Sequence, residues 1–154
     1  PMGGDLTDAP KGVSPTFLVA ALKDPLGANL DRIQIIKGWL DKKGGTQEKV
    51  YDVVWGDADT RKIGTDGKVP SVGSTLNVAN ASWSNTIGDT ELITVWEDPD
   101  FDPKQRAFYY TRVIEIPTPR WTAYDVKYFD IKMSKEVHMT TTERAYTSPI
   151  WYTP

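Results

Sequence analysis

The sequence predicts an all-β fold: an antiparallel β-sandwich, jelly-roll or immunoglobulin-like, with at most one short helix. Three observations predict it. Six or seven short runs rich in β-branched and aromatic residues recur about every ten residues, each bounded by Gly, Pro, Asn or Asp. The 154 residues suffice for one core and contain no internal repeat or low-complexity tract. With no cysteine, that core must be held by packing and not by disulfides or thiolate-bound zinc.

The elements follow in order. Residues 1–15 hold Pro1, Gly3, Gly4, Pro10, Gly12 and Pro15, and read as an extended linker. Phe17–Leu22 is the first strand, closed by Asp24-Pro25-Leu26-Gly27. Leu30–Leu40 admits a helical stripe, but the β-branched Ile33, Ile35 and Ile36 and the interrupting Gly38 favour a strand. Lys42-Lys43-Gly44-Gly45-Thr46 turns it into Lys49–Trp55, a hairpin. Residues 57–73 are loop. Further strands are expected at Thr75–Trp83, Glu91–Trp96, Phe108–Ile116 and, more weakly, Val137–Thr142. The one helix should open with Thr118 as N-cap and Pro119 at the first helical position, spacing Trp121, Tyr124 and Tyr128 along it.

Strand parity places Ile33, Ile35, Tyr51, Val53, Trp55, Trp96, Phe108 and Tyr110 mostly inside. The tail, Glu143–Pro154, carries too many large apolar side chains to hang free. It is expected to dock with Ile150 and Trp151 inserted and Glu143 and Arg144 at its polar start, Pro149 and Pro154 precluding a long regular strand. The domain reading is therefore a linker over 1–15 and a single sandwich over 16–154.

Composition excludes several functions. A formal net charge of -3 with no Lys/Arg block argues against nucleic acid, and no apolar run reaches the ~20 residues of a membrane helix. No Walker or Gly-x-Gly-x-x-Gly pattern offers a phosphate site. The single histidine, His138, has no nucleophile elbow to serve, so no catalytic residue is assigned. Asp98, Asp100 and Asp102 alternate as calcium ligands do. Pro103, however, stands where an EF-hand needs glycine and Tyr109 where it needs glutamate, so a solvated turn is the preferred reading. Asn80-Ala81-Ser82 matches a glycosylation acceptor, a pattern short enough to arise by chance. Six tryptophans invite a sugar-stacking platform. Trp39, Trp55 and Trp96 sit at strand ends, where large rings close a core, and Trp83 and Trp121 are the candidates for stacking a ligand.

Three stretches carry a family resemblance: Leu30-Asp-Arg-Ile-Gln-Ile-Ile-Lys-Gly-Trp39, the run from Asp98 through Arg112 to Trp121, and Glu143-Arg-Ala-Tyr-Thr-Ser-Pro-Ile-Trp-Tyr-Thr-Pro154. Over essentially its whole length the chain resembles the C-terminal portion of a large bacterial family, domain of unknown function 3604. The resemblance implies a longer, usually exported parent, periplasmic or extracellular, whose N-terminal part is similar to PHP-type metallohydrolases (polymerase and histidinol phosphatase type). It implies divalent metals in that barrel, but none of the barrel's ligand motifs matches a position here, so no cofactor or metal ligand is carried over. The start on Pro1, with no signal peptide following, fits a piece of something longer. The expected role is a non-catalytic domain that supports or walls the barrel's active site, with that barrel as its partner. The alternative is an autonomous carbohydrate- or small-molecule-binding module.

Overall fold

A long central strand organises the chain, and its composition explains why. The computed structural model describes residues 1–154. Its strands are β1 (Asp5–Thr7), β2 (Thr16–Leu22), β3 (Leu30–Leu40), β4 (Thr46–Trp55), β5 (Glu91–Glu97), β6 (Ala107–Glu115), β7 (Thr118–Pro119), β8 (Thr140–Thr141), β9 (Arg144–Tyr146) and β10 (Ile150–Thr153). The single helix, α1, spans Trp121–Phe129. The all-β prediction with one short helix holds.

The larger sheet runs β1-β10-β6-β3-β4, with β9 also paired to β6. β3 lies between β4 and β6 and is buried along most of its length, which is why its apolar residues are not confined to one parity. Ile33, Ile35, Lys37 and Trp39 face the second layer, the β2–β5 ribbon. The ribbon packs Phe17, Val19 and Trp96 against Ile35 and Tyr109, and Ala21 and Leu92 against Leu30 and Ile33. The β3–β4 hairpin turns as expected: Gly44 takes a φ of +80°, and the Asp41 carboxylate accepts the N–H groups of Lys43 and Gly45 at 2.8 Å. Those two backbone donors hold the Asp41 carboxyl below its ordinary range.

Several expectations are corrected. Residues 1–15 are not wholly linker: β1 pairs in parallel with β10, and Gly4 O accepts Trp151 N–H, so the sheet is not purely antiparallel. Thr75–Trp83 forms no strand, only one bridge between Asn77 and Ser82. Side chains there compete for the backbone: Thr75 Oγ1 donates to Ser84 O and accepts Ser84 N–H, while Asn77 Oδ1 caps Asn80. Val137–Thr142 shrinks to the two residues of β8, paired with β7. That pairing claims Thr118 and Pro119, so the helix begins two residues later, with Arg120 extended at its N-cap and no side-chain cap.

Parity errors have two causes. A register shift in the β3–β4 ladder inserts Val53 as an extra residue, so Tyr51 lies opposite Ile35 while Trp55 lies opposite Arg32 on the other face. On β6 the core side chain is Tyr109; Phe108 and Tyr110 lie on the opposite face and are half-buried, and Tyr51, Val53, Trp55 and Trp96 are likewise only partly covered. Only Ile33 and Ile35 of the predicted set are fully buried.

The tail docks, but differently from expectation. β9 and β10 both lie along one edge of β6, offset by a single residue, so together they make one strand bulged at residues 147–149, where Pro149 has no N–H to give. Neighbours on a strand point to opposite faces, so Ile150 and Trp151 cannot both insert. Tyr152 is the buried anchor, its hydroxyl donating to Pro103 O at 2.9 Å, and Trp151 stays 50 % exposed. Tyr152→Ala should therefore cost on the order of 3–5 kcal/mol in urea unfolding, and Trp151→Ala about 1 kcal/mol or less. Equal losses would place both rings in the core.

Candidate functional site

Charged residues threaded through the apolar β3 build two buried polar networks. The first sits between the layers. Lys37 Nζ donates to Asp98 Oδ2 at 2.6 Å and to Asp100 O at 2.8 Å. Tyr109 OH donates to the same Asp98 oxygen at 2.7 Å, and Asp98 Oδ1 accepts Asp100 N–H. Asp98 is 1 % exposed. Burial of the Tyr109 ring first, then its hydrogen bond to Asp98 and the charge of that carboxylate, raise the Tyr109 phenol well above its ordinary range. At the edge of this network Lys49 and the Tyr51 hydroxyl bond Asp100, and hold its carboxyl below the usual range.

The preferred reading of Asp98, Asp100 and Asp102 as a solvated turn is corrected at Asp98, which is buried, and the three carboxylates weighed as calcium ligands are divided among different partners. Asp98 faces an ammonium and a phenol, Asp100 a second ammonium and a second phenol, and Asp102 accepts the N–H of Lys104 in its own turn. No group of three His, Cys, Asp or Glu side chains is arranged to hold a metal ion. The chemistry this arrangement performs is cohesion: two strands, β3 and β6, and the loop after β5 meet on one carboxylate.

The second network lies on the opposite face of β3. Arg32 reaches Asp31, Asp52 and the carbonyls of Val69 and Pro70; Arg61 reaches Asp31 Oδ1 at 2.6 Å and the carbonyls of Gly56 and Pro70. Gln34 links Asp52 to Arg112. These guanidinium forks satisfy the carbonyls of the 57–73 loop, which has no ladder of its own. Sequence reasoning missed both networks. The available signal was the interruption of an Ile-rich strand by Asp31, Arg32 and Lys37.

The two stacking candidates, Trp83 and Trp121, do not pair with one another. Trp121 is 62 % exposed on the outer face of α1 beside Tyr124 and Tyr128, and Trp83 is half-buried after the 77–82 turn. Lys127 Nζ donates to Asn80 O and ties the helix to that turn, but neither indole pairs with another ring. His138 is exposed, its carbonyl accepting the Thr122 hydroxyl.

Aromatic rings do meet elsewhere, on the outer face of the large sheet. Phe108 stacks with Tyr110 at 6.4 Å and tilts against Trp151 at 5.2 Å, and Tyr110 meets Tyr146 at 6.3 Å. A second exposed surface is the outer face of the ribbon. There Leu18 lies opposite Val95, Ala20 opposite Ile93, and Leu22 completes an aliphatic row with no hydrogen-bonding side chain at its centre.

Two predictions test these electrostatics. Asp98→Asn leaves the Lys37 ammonium buried without its counter-charge and should cost on the order of 3–5 kcal/mol, which Lys37→Met in the same chain should largely restore. Glu115 is different: burial first, then Glu143 and Asp24, raise its carboxyl above the ordinary range. Its folded form favours the proton, so its cost appears as pH rises past the unfolded value. Glu115→Gln should raise the melting temperature at neutral pH and leave it unchanged at about pH 3, where both states are protonated.

Comparisons with known proteins place the chain at family level. No curated protein and no solved structure matches it. A family model described as "Protein of unknown function (DUF3604)" matches residues 1–154, the whole chain, and the chain belongs to that family.

Proposed function

We propose that this chain is the non-catalytic β-sandwich portion of a longer exported bacterial protein, and that it packs on a PHP-like metallohydrolase barrel to support or wall that barrel's active site. The observation that carries the reading is the outer face of the β2–β5 ribbon. Leu18, Leu22, Ile93 and Val95 are each more than half exposed and adjoin one another across two strands. Both faces of this ribbon are apolar, a pattern that belongs to strands covered on both sides. An aliphatic surface without polar handles gains from burial against another packed surface and has nothing with which to orient a small polar ligand.

Two further features favour the same reading. β2 pairs only with β5, so its second edge offers unpaired backbone groups, beside a narrow apolar cavity of about 210 Å³ lined by Phe17, Leu18, Ile35 and Tyr109. The helix adds Trp121, Tyr124, Tyr128 and Phe129 to the exposed apolar area. The buried charged groups are engaged with one another, so the chain's own contribution is a rigid scaffold and two surfaces.

The test compares this chain with the longer protein that contains it. Leu18→Lys with Ile93→Lys should shift the melting temperature of the chain alone by no more than a few degrees, because both positions already face water. In the longer protein the same pair should destabilise by on the order of 3 kcal/mol or more, as two charges enter an apolar interface. Equal tolerance in both proteins would sink the docking role.

A further inference from the structure

The geometry points to a binding site for a neutral carbohydrate on the outer face of the large sheet, in a dish centred on Gly38, Phe108 and Trp151. The inference uses a surface separate from the ribbon and does not depend on the docking reading. The dish is built by a missing side chain. A Cβ at Gly38 would come within 2.3 Å of the Phe108 ring, so only glycine lets that ring lie down across β3. Gly38 and Phe108 are register partners in the β3–β6 ladder, and Trp151 is the partner of Phe108 in the β6–β10 ladder, which brings floor and wall together. The two rings meet at 50°, with centroids 5.2 Å apart, and form a corner open to solvent. Its volume is about 640 Å³. That lies inside the ~300–1,000 Å³ span of small-molecule sites and suits one or two sugar rings.

The rim supplies the second half of the chemistry. Thr46, Glu48, Arg106 and Thr153 surround the rings, all exposed. Glu48 and Arg106 make no ion pair, so a donor fork and an acceptor carboxylate are both free, and their charges cancel over the dish. A sugar ring has an apolar C–H face for an aromatic wall and a belt of hydroxyls that both donate and accept. An anion would meet Glu48 and a cation Arg106. A planar apolar ligand would leave four polar groups unused. The half-exposed Trp151 gives up water-facing apolar surface when a ring covers it. The ribbon's outer face has none of this polar complement, and the two surfaces are distinguished by that difference.

The experiment is a titration of the chain with cellohexaose, xylohexaose and chitohexaose, followed by nuclear magnetic resonance of the tryptophan indoles and the backbone amides. At least one sugar is expected to saturate with a Kd on the order of 1 mM, with shifts centred on the Trp151 indole and the Gly38 amide. Trp151→Ala should weaken it by about tenfold or more, and Arg106→Ala, a change at an exposed side chain that leaves the fold intact, by a few-fold. No saturable shift with any of the three sugars overturns the proposal. So do shifts that survive Trp151→Ala, or shifts centred on Trp83 or Trp121. Oxidative footprinting of the longer protein gives a further check: Trp151 should remain as reactive there as in this chain, and its protection would make the dish a protein interface instead.

Discussion

The fold depends on one buried carboxylate. Asp98 follows β5, and its backbone N–H bonds Pro15 O just before β2, so it closes the ribbon at one end. Its side chain takes Lys37 from β3 and Tyr109 from β6. A two-stranded ribbon on its own is marginal in water; here a charge-assisted hydrogen bond in a water-poor layer fixes where it sits on the large sheet. The cost of burying Lys37 and Asp98 is offset only while both are present and every oxygen is engaged, which gives the layer packing one register and penalises slippage. Lys37 also lies 5.5 Å from the Trp39 ring centroid and 5.8 Å from that of Tyr109, so its stem and head are both accommodated among aromatics.

The same device recurs on the other side of β3 with arginine in place of lysine. A lysine presents a point charge and suits a single carboxylate. The 57–73 loop needs several carbonyls satisfied at once, which planar guanidinium forks do. Arg32 and Arg61 converge on Pro70 O and share Asp31, so a loop without regular structure is held as firmly as a strand. β3 is thus polar on both faces at different heights: Arg32 and Gln34 outward near its start, Lys37 inward near its middle. Beyond Gln34 its outer face becomes Ile36 and Gly38, and the aromatic rings begin.

How much of this could be read from the sequence follows from which interactions are local. β3 and its hairpin were legible, because Ile33, Ile35 and Ile36 and the Gly44-Gly45 turn state their preferences within a few residues. The ribbon was legible as two strands, and its outward Leu18 and Val95 were not, because an apolar run gives no parity. Phe108, Tyr109 and Tyr110 pose the same difficulty: three consecutive aromatics do not alternate, and only the partner on Asp98 decides which one turns inward. The bulge at Val53 and the offset before Pro149 are properties of paired strands and are invisible in one. β1 has no pattern of its own; Asp5-Leu6-Thr7 becomes a strand because β10 offers an edge. The carboxylates at 98–102 were found as a cluster, and their partners Lys37, Lys49 and Tyr51, 49 to 63 residues away, were not.

The tail shows how these constraints combine into surfaces. By running along β6 as a bulged strand, residues 144–153 cover an edge that would otherwise invite pairing, and β1 then covers the tail in turn. The bulge also sets which side chains face out. Tyr146 is placed beside Tyr110 on the outer face, the offset at 147–149 follows, and Tyr152 is turned inward while Trp151 is turned out to meet Phe108. A regular strand in the β9 register would carry Tyr152 to the outer face and Trp151 to the core. One inserted residue beside a proline therefore decides both the anchor of the C-terminal strand and the presence of an indole on the open face of the sheet. Stability and surface chemistry are set here by the same backbone irregularity, so neither can be altered at Pro149 without the other.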